Sequence, residues 1–214
     1  MKQRRSRSLE VVWWAARTLR PRAARGKPLP RLLFFTDPAR TPDIEAAIAR
    51  LPRGAGVVYR PFGAPDAALR GRRLARLAHR RGLLLLAGAD PGLAARIGAD
   101  GVHLPQRLAQ RARAIRRARP GWLVTAAAHS GGAIAAARRA GADAAVVSPV
   151  FASASPSAGR PLGTLRFAAL VRGARLPVYA LGGINARTAR RLAGSGAAGL
   201  AAVDALADPA DRAD

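Results

Sequence analysis

Cysteine is absent from this chain. Its absence removes disulfides, thiolate metal sites and a cysteine nucleophile together. Lysine is almost as scarce: Lys2 and Lys27 are the only two, and both precede the first strand-like run. A Schiff-base aldolase needs a lysine inside its barrel, so that class is set aside. Acids are few, with 12 Asp and Glu against 37 Lys and Arg, which leaves a formal net charge of +25. Aromatic residues make up only 5% of the chain, too few to build stacking platforms for single-stranded nucleic acid. Long apolar runs are missing as well. Val11-Val-Trp-Trp-Ala-Ala16 is far below the length of a membrane span, and Glu10 interrupts it as a signal sequence.

The charge that is present is nearly all arginine, beside abundant alanine, glycine and proline, as a GC-rich coding sequence produces. Arg70, Arg72, Arg73, Arg76, Arg80 and Arg81 fall at the spacing of a solvated helix face rather than of one basic stripe. We therefore expect no specific nucleic-acid partner, only weak and salt-sensitive adhesion.

With 214 residues, half of them apolar, the chain can bury one core, and a single domain is expected. Residues 1–28 stand apart: seven arginines accompany one acid, Glu10, and Pro21, Pro28 and Pro30 close the segment. They read as a basic tail or a loosely docked helix, with Trp13 and Trp14 available to pack. The domain proper is placed at 29–208, and 209–214 as a short C-terminal tail.

From residue 31 the chain alternates steadily. Continuous apolar strands are expected at 31–36, 56–60, 83–86, 101–104, 122–125, 144–147, 177–181 and 199–203. Helices are expected at 41–51, 64–80, 91–97, 107–117, 131–140 and 165–172. Unbroken apolar runs mean strands covered on both faces, hence a parallel sheet. Eight of them fit a compact (β/α)8 TIM barrel, and a doubly wound open sheet is the runner-up. Pro177-Val-Tyr-Ala-Leu-Gly-Gly-Ile184 decides between them. A glycine pair at the end of the seventh strand leaves backbone N–H groups open to an anion, where barrels of this class hold phosphate.

Gly98-Ala-Asp-Gly-Val-His-Leu104, Gly141-Ala-Asp143, Ser148-Pro-Val-Phe151 with Gly163, and Ala180-Leu-Gly-Gly-Ile184 fall in register with a known family. With Phe35-Thr-Asp37 they resemble the thiamine phosphate synthases and their TenI-like relatives, the thiazole tautomerases, over about residues 30–206. The resemblance implies a cytoplasmic transferase that joins a hydroxymethylpyrimidine diphosphate to a thiazole phosphate, with Mg²⁺ on the departing diphosphate. It also implies phosphate or substrate contacts at Arg60, Ser153, Ser155, Gly163, Gly182, Gly183 and Asp204. His129, just past the fifth strand, matches the proton-transfer histidine of the TenI-like branch, and an imidazole suits that task near neutral pH.

The departures lie at the metal and the diphosphate. The family's Asn-Asp-Arg after the third strand is here Gly88-Ala89-Asp90, which leaves Asp90 as the one metal candidate. Gln106-Arg107-Leu108 stands where an acid follows the fourth strand. Gln-x-Arg-Glu-Lys survives only as Arg60, and Thr-x-Thr-Lys has become Ser153-Ala-Ser-Pro156, with Arg160 a substitute for the lost lysine. Asp204 replaces a serine near the phosphate, where a carboxylate repels an anion unless an arginine or a metal intervenes. Two alternatives stand beside the synthase: a TenI-like tautomerase, and a silent barrel that binds thiazole or thiamine phosphate. His103 is expected to be a satisfied buried histidine and His79 a surface one. Asp100 and Asp143 are expected to cap or pair at the barrel bottom. Self-association is left open.

Overall fold

The computed structural model describes residues 7–19, 28–153, 155 and 159–207. Eight parallel strands close on themselves in sequence order, which excludes the open sheet. They are β1 (Leu32–Phe35), β2 (Gly56–Tyr59), β3 (Leu84–Gly88), β4 (Gly101–Leu104), β5 (Leu123–Ala128), β6 (Ala144–Val147), β7 (Val178–Ala180) and β8 (Gly199–Ala202). Closure is made by β1 against β8, with Leu33 opposite Ala201.

Because side chains alternate along each strand, the barrel carries two apolar layers. The inner one is filled by Leu33, Phe35, Val58, Leu86, Val146 and Tyr179. The outer one joins the strand backs to the helices. Both faces are therefore buried, and the unbroken apolar runs in the sequence follow from that. Tyr179 donates its hydroxyl to the Pro30 carbonyl oxygen, 2.5 Å away, and burial pushes its phenol upward, so it stays neutral.

The barrel bottom is tied by the two aspartates expected there. Asp143 accepts from the Val124 N–H and pairs with Arg116, while Asp100 accepts from the Leu85 N–H and meets His79 Nε2 at 3.0 Å. Both carboxylates pin strand starts, far from the mouth.

Six helices follow strands much as expected: α2 (Ile44–Arg50), α3 (Ala67–Arg80), α4 (Pro91–Ile97), α5 (Ala112–Ala118), α6 (Gly131–Arg139) and α7 (Gly163–Gly173). The helix expected at 107–117 divides into a 3₁₀ segment, Gln106–Arg111, and α5. The last two helices are single turns, α8 (Ala186–Ala189) and α9 (Asp204–Ala207). Asn185 caps α8 by accepting from the Arg187 and Thr188 N–H groups, and Thr188 reciprocates at the Asn185 N–H.

Of the two readings of the N-terminal segment, the docked helix holds for the residues described, and it is packed rather than loose. Residues 7–18 form a preceding helix, α1 (Arg7–Thr18), docked on α8, α9 and β8. Leu9, Val12, Ala16 and Leu19 recur at helical spacing and are buried in the barrel's outer core. Trp13 packs against that core, whereas Trp14 is 64% exposed on the opposite face. Arg7 and Arg17 lie on the exposed side of the helix, away from this stripe. The segment expected as a C-terminal tail, 209–214, lies outside the described residues.

Candidate functional site

A cavity of about 1560 Å³ opens at the C-terminal ends of the strands. Its floor is made by Phe35, His103 and Arg60. The His103 ring meets Phe35 edge-on at 4.9 Å, and its Nδ1 lies 2.9 Å from Thr125 Oγ1. Burial, reinforced by the Arg60 charge, lowers its pKa to about 3, so the ring is neutral in the folded protein. It is a satisfied core histidine that shapes the floor.

Arg60 is held from several sides. Its Nε donates to the Thr36 carbonyl oxygen at 2.8 Å, and its own N–H donates to Thr36 Oγ1 at 2.9 Å. The guanidinium lies between two rings, 5.6 Å from the Phe35 centroid and 5.0 Å from that of Phe62. Asp37 stands 3.6 Å from Nη2. Burial pulls the guanidinium down from its ordinary value and Asp37 pulls it back up, yet an arginine stays charged at any working pH. Glycine at position 88 makes room for it, since a Cβ there would sit 3.0 Å from Arg60 Cγ.

The glycine pair lines the opposite side of the mouth, after β7. Gly182 and Gly183 have φ of 92° and 63°. A Cβ on Gly183 would lie 2.2 Å from the Ala152 carbonyl oxygen, and one on Gly182 2.7 Å from Pro149 Cα. Only glycine permits this turn against the β6 loop. The carbonyls of the turn are spent on Phe151 N–H and on the Thr188 hydroxyl. Its two N–H groups find no acceptor among the described residues, which leaves them to an anion.

Other expected residues fall less simply. Ser153 and Ser155 line the cavity, though much of their loop lies outside the described residues. Gly163 does not line it: its N–H is spent on the Val150 carbonyl oxygen, and its φ of 71° starts α7. Arg160 is likewise not in the lining. His129 also lies outside the lining, with its Nδ1–H donating to the Ser148 carbonyl oxygen at 2.6 Å and its backbone N–H to Gln106 Oε1. Asp204 does line the mouth, but it is engaged by Arg40: Nε donates to Oδ1 at 2.8 Å and Nη2 to Oδ2. Arg40 escaped the sequence reading because its partner lies 164 residues away.

The rim aspartates do not fit a resident Mg²⁺. Asp90 caps α4, with Oδ1 accepting from the Leu93 N–H and Oδ2 3.9 Å from Arg96. Asp37 accepts from the Ala39 N–H at Oδ1 and faces Arg60 with Oδ2. Asp204 gives both oxygens to Arg40. Among the described residues no group of three or more His, Cys, Asp or Glu side chains gathers to hold a metal ion by protein ligands alone.

Comparison with known proteins adds the deciding observation. The family described as thiamine monophosphate synthase matches residues 33–206, from the first strand to α9. The chain belongs to the thiamine monophosphate synthase family. The thiamine-phosphate synthase of Alcanivorax borkumensis is 34% identical over 186 residues, covering 82% of this chain and 84% of that one. That of Synechococcus is 32% identical over 183 residues, 82% of this chain and 52% of its own. The thiamine biosynthesis bifunctional protein ThiM/ThiE of Symbiobacterium thermophilum is 38% identical over 142 residues, 66% of this chain and 29% of its own. This chain thus spans about half the length, or less, of the last two. Thiamine phosphate pyrophosphorylase from Pyrococcus furiosus superposes with a TM-score of 0.68 at 22% identity, over 81% of this chain and 85% of that structure. The aldolase QR15 also shares the barrel, at a TM-score of 0.60 and 14% identity over 85% and 94%. Fold alone therefore does not fix chemistry. The region matched to the thiamine monophosphate synthase family contains both Arg60 and the Gly182–Gly183 pair, and α1 lies outside it.

Proposed function

We propose that the protein is a transferase of thiamine assembly, joining a hydroxymethylpyrimidine diphosphate to a thiazole phosphate. The observation that carries this reading is the family match over residues 33–206, with Arg60 and the Gly182–Gly183 turn facing one cavity. As the carbon–oxygen bond to the diphosphate breaks, charge builds on the leaving oxygens, and a prefixed guanidinium stabilises it. Arg60 is suited to this because Thr36 and two aromatic rings fix its plane before substrate arrives. Gly182 and Gly183 supply backbone donors for the phosphate of the second substrate, with Ser153 and Ser155 beside them. The His103 ring, neutral and apolar on its Phe35 side, helps keep water off the reacting carbon.

The tautomerase alternative rests on His129, whose ring is absent from the cavity lining, so nothing in the geometry favours it. Small phosphorylated substrates and a cytoplasmic setting are part of the synthase reading and rest on the family. Separately, no described helix is long and apolar enough to cross a membrane. Incubating the purified protein with both phosphorylated halves and Mg²⁺, and watching for thiamine phosphate, tests the reading. Absence of product with and without Mg²⁺ would overturn it.

A further inference from the structure

The three aspartates on the cavity rim share one arrangement. Each faces an arginine: Asp204 gives both oxygens to Arg40, whereas Asp37 and Asp90 accept a backbone N–H at Oδ1 and turn Oδ2 toward Arg60 and Arg96 at 3.6 and 3.9 Å. A metal seated on any of them has to compete with a neighbouring guanidinium. A polyanion has an easier entry. Arg40 spends Nε and Nη2 on Asp204, and Arg60 spends Nε on Thr36 and turns Nη2 toward Asp37. A guanidinium has five N–H donors, so each retains donors for a ligand without leaving its aspartate. Neither Nη1 has an acceptor among the described residues. Arg96 is only loosely held, at 3.9 Å with its side chain 60% exposed, and can turn inward at little cost. The cavity lining carries Arg7, Arg40, Arg60, Arg96 and Arg187 against those three aspartates, so it stays cationic when every pair is made.

We propose that Arg40, Arg60 and Arg96 form a metal-independent seat for a diphosphate, with the rim aspartates holding the guanidinium groups in place rather than chelating a cation. Arg60 and Arg40 grip through fixed forks, and Arg96 closes from α4. The inference rests on the synthase reading for its choice of diphosphate, but its test does not depend on turnover.

Inorganic pyrophosphate is titrated calorimetrically into the full-length protein, once in EDTA and once in excess Mg²⁺. The seat predicts binding in EDTA with a Kd within about threefold of that in Mg²⁺. Arg60→Gln weakens binding in EDTA by about tenfold or more, as loss of a charge-assisted contact does. Arg60→Lys does not restore it, because an ammonium reproduces neither the fork nor the stacking. Arg96→Gln, an exposed change that leaves folding alone, weakens it by a smaller factor. Arg72→Gln on the outer face of α3 leaves it unchanged. Binding that requires Mg²⁺ or tightens tenfold with it overturns the seat. So does no binding in either buffer, or equal losses in Arg72→Gln and Arg60→Gln, which would mean diffuse charge. A parallel turnover assay separates the two claims. Product in Mg²⁺ without pyrophosphate binding in EDTA keeps the synthase and removes the seat, whereas binding in EDTA without product does the reverse.

Discussion

Gly183→Ala and Gly163→Ala together isolate what the glycine turn contributes. Both glycines have similar positive φ, 63° and 71°, so an alanine pays the same backbone penalty at each, about 1–2 kcal/mol. They differ in surroundings. A Cβ at 163 meets nothing within 4 Å among the described residues, whereas one at 183 lies 2.2 Å from the Ala152 carbonyl oxygen and 2.8 Å from Phe151 Cβ. The first of these is about 1 Å short of the 3.4 Å at which ordinary contact begins, and its partner is backbone that cannot rotate away. Forcing such a contact adds about 1–3 kcal/mol. In a chain of this size each kcal/mol moves the melting point by about 2–4 °C. Gly163→Ala should therefore melt about 3–6 °C below the parent, and Gly183→Ala about 6–15 °C below it. If Gly183→Ala yields by moving the β6 loop, its N–H groups move too, and thiazole phosphate affinity falls by about tenfold while Gly163→Ala binds normally. Circular-dichroism melts and calorimetric titration read both effects. Equal melting points for the two variants, with unchanged affinity, would refute the close-packed cradle.

Acid stability follows from His103. Its folded pKa near 3 lies below its ordinary 6.5, so below pH 6.5 the unfolded chain takes up a proton that the folded one refuses. Stability is fully present above pH 6.5 and falls by about 1.4 kcal/mol per pH unit as pH drops toward 3; urea melts of His103→Asn across this window should show that slope removed. Asp143→Ala strands the Arg116 charge and the Val124 N–H at the barrel bottom, and should cost about 3–5 kcal/mol while pyrophosphate affinity stays unchanged. A drop in affinity for the folded variant would contradict the separation of bottom and mouth. Ala89 is held at a φ of 65° on the rim, so Ala89→Gly should raise stability by about 1 kcal/mol. A lower melting point would mean the alanine methyl packs against something of value.

Local signals carried most of the fold. Each strand is buried on both faces, so Leu32–Phe35, Gly101–Leu104 and Ala144–Val147 announce themselves as unbroken apolar runs. The paired glycines and the two bottom aspartates were also legible, because each acts on residues close in sequence or on the next strand. What escaped depends on distance along the chain. Arg40 reads as one surface arginine among many until the barrel closes and sets Asp204 beside it. The α1 stripe is short, made partly of alanine and flanked by arginines, and only docking against α8 and α9 shows it as core. His129 and Gly163 were placed by register with relatives, which fixes a position along the strand but not where a ring or an N–H points.

Formation of thiamine phosphate from hydroxymethylpyrimidine diphosphate and thiazole phosphate, followed by mass spectrometry in Mg²⁺ and again in EDTA, is the most direct measurement. The synthase reading predicts product that requires both halves and is abolished in Arg60→Gln. Saturating both substrates without product in either buffer would contradict it, and would leave a barrel that binds what its relatives convert.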